Sequence, residues 1–378
     1  MTNNNSTYKR LGDYIREVDV RNTDECLTEN DLYGVSVTKE FITTHANLIG
    51  VRFNNYKVVK HRQFTYISDT SRRGEKIALA YNSFSKDIIV SSIYTVFEIT
   101  DHNALMPEYL MMWFRRPEFD RYARFHSHGS AREVFDWEEM CDVMLPVPSL
   151  EEQRSIVSRY KAIETRISNN KQTIAKLEEA AQALYRKMFV DDVDVENLPD
   201  GWRMGTIKEF CKEMKSGGTP SRTNNSYWDS NDIPWLKSGE VHNNVIWNTE
   251  DYISESGLKN SSAKLIPADS VIMAMYGATA AQVAYLKCET TTNQACCNMI
   301  CHSKEDAAYL YFHLLNHQDE IKVLANGGAQ ENLSQELIAN QPIIIGLGSD
   351  KFAILIEQIS LLSKESEKLK EMLSLLMA

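Results

Sequence analysis

Apolar residues recur at alternating intervals of three and four over two long stretches of the chain, and that spacing predicts two long helices. In the first stretch, residues 150–190, the repeating positions are Tyr160, Ile163, Ile167, Asn170, Ile174, Leu177, Ala181 and Leu184. In the second they are Phe352, Leu355, Ile359, Leu362, Ser366, Leu369, Leu373 and Leu376. A 3-4 alternation is the seam of a coiled coil and needs a partner helix. Each seam has one polar member, Asn170 or Ser366. An antiparallel pairing aligns every layer, from Tyr160 with Leu376 onward, and brings Asn170 to Ser366. A parallel pairing sets Asn170 against Leu362 and leaves its amide poorly satisfied. The expectation is therefore an antiparallel pair within one chain; a homodimer seam, or two helices packed separately, are the competing readings. Ser149 with Glu152 forms a capping box after Pro148, and Ser349 with Asp350 opens the second helix. Roughly 40 helical residues give a rod of about 60 Å.

Globular sequence flanks the first helix. Residues 8–147 mix strand-like runs, such as DIIVSSIYTVFE from Asp87, with short helices, such as Pro107 to Arg124. An acidic linker at 191–197 leads through LPDGW to a second unit, richer in turn signals, that ends near Gly346. The halves echo each other. Tyr109-Leu110 and Tyr309-Leu310 each begin a helical stretch; AREVFD from Ala131 and AQENLS from Ala329 each follow a glycine. Each of these leads to a proline-containing apolar strand and then a long helix, a duplication too long for a solenoid. The fold class expected is mixed α/β: two globular domains, 1–148 and 191–346, separated by an antiparallel two-helix coiled coil from 149–190 and 347–378. Such a caliper suits two contacts at fixed spacing on a linear polymer, with DNA half-sites the obvious target.

Composition changes this picture little. At 378 residues and 43% hydrophobic content the chain can bury two or three cores. The N-terminus is polar, with no targeting peptide, and no run reaches membrane-spanning length, so a soluble cytoplasmic protein is expected. Cys296, Cys297 and Cys301 lack a second pair at zinc spacing and read as a buried strand with free thiols; no metal site is expected. The net charge of −11 argues against nucleic acid, but its distribution does not. Between Arg52 and Lys76 seven lysines and arginines face two acids, whereas acids collect around the ends of the first long helix.

Several segments are more specific. LPDGWRMGTIKEF from Leu198, KSGGTPSR from Lys215, YWDSNDIPWLKSGEV from Tyr227, YGATA from Tyr276, TTNQACC from Thr291 and GGAQENLSQEL from Gly327 closely resemble the target-recognition domains of type I restriction-modification specificity subunits. LPVPSLEEQRSIV resembles the same family's junction between recognition domain and spacer helix. The likeness covers the second unit and both helices and is weaker in the first unit. The resemblance implies a non-catalytic DNA reader with two recognition domains on a split, asymmetric site. It also implies helices that dock methyltransferase subunits, two of them expected, and restriction subunits beyond these. AdoMet, ATP and Mg would then belong to the partners, with no cofactor in this chain. The sequence has no methyltransferase Asn/Asp-Pro-Pro-aromatic motif, no phosphate-loop Gly-Lys-Ser/Thr and no His-Glu-x-x-His, and no catalytic residues are assigned.

Phosphates are held by Lys, Arg, Ser/Thr and backbone N–H groups, and base edges mainly by Arg, Lys, Asn and Gln. The candidates in the first unit are Lys57, Lys60, His61, Arg62, Arg72 and Arg73, against the plain alternative of a solvated charged face. In the second unit they are Lys215, Ser216, Thr219, Ser221 and Arg222 on the glycine-rich turn, with Lys237 and Ser238. Trp202, Tyr227, Trp228 and Trp235 read as core rather than base-stacking residues. A reading from a different class remains: a coiled-coil scaffold that recruits proteins and reads no DNA.

Overall fold

A computed structural model describes residues 8–43, 48, 50–69, 76–129, 133–191, 193–325, 332–346 and 350–377. The chain forms two compact units, 1–165 with 371–378, and 166–370, so both long helices are shared between them. Among the described residues no helix is long and apolar enough to cross a membrane.

The central helix, Leu150–Arg186, starts as its capping box predicts: the Ser149 N–H donates to Glu152 Oε2 at 3.0 Å, and Ser149 Oγ accepts from the Glu152 N–H at 3.3 Å. It closes in a wide π turn, Lys187–Asp191, that turns Phe189 into the second unit's core. The C-terminal helix spans Asp350–Met377; its expected cap, Ser349, lies outside the described residues. In the second unit the two helices run antiparallel. Tyr185 and Phe189 pack on Phe352, while further along Asn170 Nδ2 donates to Ser366 Oγ at 3.2 Å and to Glu365 Oε2 at 2.8 Å. Arg166 pairs with the same Glu365 at 3.1 Å. Asn170 is 2% exposed, so its amide is satisfied by the polar layer that the two seams predict.

The far end of the seam departs from expectation. Leu376 is 38% exposed, and Met377, one position on, packs half-buried with Leu373 against the first unit's core, which includes Tyr160. A straight helix has 3.6 rather than 3.5 residues per turn, so its apolar stripe drifts over successive heptads. Ile356 and Ser360, outside the predicted seam, are buried because the second unit also covers that flank, with Trp247 Nε1 donating to Ser360 O at 3.0 Å.

The first unit is built on a four-stranded antiparallel sheet in the order Ile15–Val18, Thr95–Ile99, Phe64–Ile67, Ala78–Tyr81. Phe64 and Phe97 stack across it at 5.1 Å. The apolar run from Asp87 is two strands, Ile88–Val90 and Thr95–Ile99, because a turn closed by the Tyr94 N–H on Ser91 O interrupts it. The helix expected from Pro107 to Arg124 is likewise two, Pro107–Phe114 and Pro117–Phe125. Pro117 holds Arg116 extended (φ −69°, ψ 138°) and removes the N–H that would continue the first helix. The second unit has a five-stranded sheet in the order Glu213–Ser216, Cys296–Ile300, Val271–Ala274, Val283–Leu286, Asn244–Ile246, with the last pair parallel. Cys296 and Cys297 are free thiols buried in one of its strands.

The units share one wiring at the level of single hydrogen bonds. The first strand of each pairs antiparallel with its last: Tyr8–Arg10 with Met144–Pro146, and Arg203–Thr206 with Pro342–Ile345. Leu11 N–H donates to Val143 O, as Ile207 N–H does to Gln341 O; Tyr109 and Tyr309 donate their hydroxyls to Pro146 O and Ile344 O. Phe64 lies between Tyr81 and Phe97, as Val271 does between Tyr285 and Met299. Arg62 and Asp269, two residues earlier, have the same left-handed backbone (φ 69° and 57°) and bond to Asn82 O and Leu286 O. At the opposite end of these strands, Phe135 N–H donates to Ser68 O and Leu333 N–H to Met275 O.

Two buried polar side chains tie the helices to their units. Gln153, fully buried, donates to Ala104 O and Pro148 O and accepts from the Met106 N–H, each within 2.9 Å. A Gln153→Leu variant orphans three backbone groups; it should lower the unfolding free energy by about 2–4 kcal/mol in urea titration. His313 accepts at Nδ1 from the Tyr185 hydroxyl at 2.6 Å and is 3% exposed. Burial, then the neighbouring His317, lowers its pKa to about 3 from an ordinary 6.5. Above pH 6.5 the imidazole is neutral folded or unfolded. As pH falls from 6.5 towards 3 the unfolded chain takes up a proton that the folded one refuses, so stability falls by up to about 1.4 kcal/mol per pH unit. His313→Gln, compared with wild type by denaturation across that range, should remove this component of the slope.

Candidate nucleic-acid interface

In the second unit four segments meet at one edge of the five-stranded sheet. The turn after strand Glu213–Ser216 is fastened by the Gly218 N–H on Thr292 O (2.8 Å) and by Thr219 Oγ1 on Gln294 Oε1 (2.6 Å). The Met275 N–H bonds Ala295 O, which brings Tyr276 and the YGATA turn alongside, and Tyr276 bridges to Asn332. Glycine is required in this turn, where its backbone meets Asn293 and Ser262. A Cβ on Gly217 would stand 2.1 Å from Asn293 O, and one on Gly218 would stand 2.3 Å from Ser262 Oγ. The Trp235 indole donates to Gly218 O at 3.0 Å and the Trp228 indole to Ser221 O at 3.1 Å, so both tryptophans hold the turn's backbone. They meet edge to face at 4.9 Å, and Arg222 lies over Trp228 at 3.5 Å. Trp202 stacks on Phe189, and Tyr227 is half-buried with its carbonyl accepting from Ser254.

The cations of this edge already have carboxylate partners. Arg222 pairs with Asp251 at 2.9 Å, Lys237 with Glu250 at 2.8 Å, and Lys215 with Glu213 at 2.9 Å. The Glu250 contact raises the Lys237 pKa. Exposed pairs of this kind are worth only about 0–1 kcal/mol, so exchanging one carboxylate for a phosphate costs little. Ser216 and Ser221 are exposed; Ser238 is half-buried beside Asn293 at 3.5 Å. The edge thus presents hydroxyls, amides and exchangeable cations around Tyr276, which is 41% exposed. Tyr276, Gln294 and Asn332 were not singled out as site residues by residue type. Their signal was positional, since each lies in a motif that resembles the family.

The first-unit candidates separate into two groups. Arg72 and Arg73 lie outside the described residues, but they follow Asp69, which bridges to Val134 as Tyr276 does to Asn332. Lys60, His61 and Arg62 precede strand Phe64–Ile67 and so stand at its other end, where His61 and Arg62 line a cleft with Arg154 and Lys161 of the central helix. Lys57 is 7% exposed and directed to Asp19 at 3.7 Å, so burial withdraws it from phosphate contact. Charge clustering along the sequence groups all six; among the described ones, burial sets Lys57 apart from the cleft-lining His61 and Arg62. Among the described residues no group of three or more His, Cys, Asp or Glu could hold a metal ion.

Residues 199–348, which contain this edge, match the family model of the type I restriction modification DNA specificity domain. The second unit is thus a specificity domain by sequence, on a mixed helix-and-sheet scaffold whose wiring the first unit repeats. The type I restriction enzyme HindI specificity subunit of Haemophilus influenzae is 23% identical over 368 residues, covering 76% of this chain and 79% of that one. The MjaIX specificity subunit of Methanocaldococcus jannaschii is 25% identical over 191 residues, 47% of this chain and only 44% of that relative's length. The fold is that of a type I restriction-modification S subunit from M. genitalium, with a TM-score of 0.60 at 13% identity, covering 100% of this chain and 95% of that one. Residues 199–348 thus carry the DNA specificity domain of type I restriction-modification systems, and the chain as a whole is similar to specificity subunits of those systems.

The glycine contacts give a direct check. Gly217→Ala drives a methyl group into backbone and should destabilise the second unit by about 1–3 kcal/mol, read from thermal or chemical unfolding.

Proposed function

We propose that this chain is the DNA-reading subunit of a type I restriction-modification enzyme, non-catalytic itself, recognising a bipartite asymmetric site with one half-site per globular domain. The observation that carries the proposal is the duplicated edge. The same backbone bonds recur in both units, and in the second they assemble motifs of a DNA specificity domain. In this reading residues 1–148 and 191–346 are the two recognition domains, and 149–190 and 347–378 are spacer helices. Ser216, Thr219, Ser221, Arg222, Lys237 and Ser238 are the phosphate-contacting set of the second domain, with Tyr276, Gln294 and Asn332 facing the bases. Amide side chains suit that task because they bond two edge atoms of adenine at once. Arg72 and Arg73 do the corresponding work in the first domain. Two methyltransferase subunits dock on the spacer helices and restriction subunits join through them; AdoMet, ATP and Mg act in those partners, in the cytoplasm.

Methylome sequencing of cells carrying the chain with its cognate methyltransferase subunit should show modification at one split motif. Exchanging residues 8–147 for those of another specificity subunit should change one half of that motif, and adding a heptad to both spacer helices should change only its gap. Gln294→Ala should relax one base position of the other half-site by roughly tenfold, since a lost two-point contact is worth about 1–3 kcal/mol. Changes in both halves on exchanging 8–147 would falsify the two-reader scheme. Gel shifts on random duplex that ignore salt would favour the scaffold reading, because phosphate binding weakens steeply as salt rises.

A further inference from the structure

The shared wiring allows the two units to be compared position by position where each sheet meets its helix, and there their charges are inverted. In the second unit the Tyr285 hydroxyl donates to Asp269 Oδ1 at 3.0 Å. Lys287 Nζ lies 3.1 Å from the same oxygen and 2.6 Å from Glu357 Oε2 on the C-terminal helix. A lysine held between two carboxylates meets its own need for charge, and the cleft beside it is about 440 Å³. In the first unit the equivalent positions are Tyr81, Arg62 and Ser83. An arginine stands where the acid was, and a hydroxyl where the lysine was.

The first-unit cleft is correspondingly larger, about 730 Å³, and cationic. Four basic side chains line it. Arg115 is met by Glu164 at 2.9 Å and Lys161 by Glu108 at 3.8 Å. Arg62 reaches only the Tyr81 hydroxyl, and neither it nor Arg154 has a carboxylate partner among the described residues. His61 and His102 stand beside them. The floor is apolar and adaptable: Met106, Met111 and Met112 with Val157 and Tyr160. Two unpaired guanidinium groups over a methionine floor match a carboxylate carried on an apolar body, which is what a protein segment offers and a phosphodiester strand does not. The cleft also stands at the opposite end of strand Phe64–Ile67 from the edge assigned to DNA.

We propose that this cleft seats an acidic segment of the methyltransferase subunit, a carboxylate bridging Arg62 and Arg154 while a neighbouring apolar side chain covers the methionines. In the second unit that carboxylate role is filled from within by Asp269 and Glu357; in the first it comes from the partner. The inference rests on the reading that methyltransferase subunits dock on the spacer helices.

The test uses the full chain and its purified cognate methyltransferase subunit, with affinity measured by calorimetry at about 0.1 M and about 0.5 M NaCl. Arg62→Glu/Arg154→Glu should weaken association at least tenfold at the lower salt, roughly what losing a buried charge partner costs, and should flatten its salt dependence. Arg62→Asp/Ser83→Lys, which copies the second unit's internal pairing, should weaken association while keeping the melting temperature of the wild type. Gel-shift affinity for random duplex should stay within about threefold for both. Wild-type association with variants that bind equally well overturns the cleft assignment alone. Loss of duplex affinity with association intact makes it a DNA-contact site and also overturns it. A wild-type chain that does not bind the methyltransferase subunit overturns the docking reading as well.

Discussion

A buried amide in a helix seam needs donors and acceptors that apolar neighbours cannot supply, and Asn170 finds them only in one direction and one register. Its Nδ2 reaches Ser366 and Glu365, and Arg166 closes over the same carboxylate. Sliding the C-terminal helix by a turn, or reversing it, would set the amide against leucine and leave it unpaired at a cost of about 1–3 kcal/mol. The apolar layers give the pair its cohesion, but leucine and isoleucine tolerate one another in several alignments. One polar layer selects among them. The contacts that depend on that choice follow in order along the second unit, from Trp247 on Ser360 to Tyr185 and Phe189 on Phe352.

Around the helices one backbone plan is used twice with different side chains. The hydrogen bonds that recur are almost all main chain, or tyrosine to main chain, and so do not depend on what the surface carries. Surface chemistry is then free to diverge. The second unit's outer edge is polar and its inner cleft internally paired, whereas the first unit has an arginine at the aspartate's place. Fixed wiring holds the helices, and variable residues sit at strand ends where a substitution disturbs no ladder.

The helices are the most legible part of the sequence because their period is set by geometry and repeated over many turns. Even there the seam is followed correctly only until drift moves it from Leu376 to Met377. Tyr109 and Tyr309 were visible as a repeat, although their shared hydrogen bond was not, since a sequence shows recurrence but not the acceptor. The break at Pro117 was misread because flanking helical signals outweighed one proline. Gln153 was missed altogether: nothing about a glutamine on a polar helix turn announces that three backbone groups require it. The basic cluster misled for a related reason. Lys57 and Arg62 are near neighbours in sequence, but the first is buried towards Asp19 while the second lines an open cleft.

The sharing of the two helices also bears on how the molecule comes to be made. Leu373 and Met377 pack against the hydrophobic cluster of the first unit, although translation supplies them only after the second unit's residues 166–370 have been synthesised. Until then Tyr160 and its neighbours lack the turn that carries Leu373 and Met377. The buried members of that cluster all precede the second unit, so the usual benefit of vectorial synthesis extends to the first core but not to the turn that covers it. A nascent chain of this kind leaves one apolar face of its central helix uncovered until the partner helix is made.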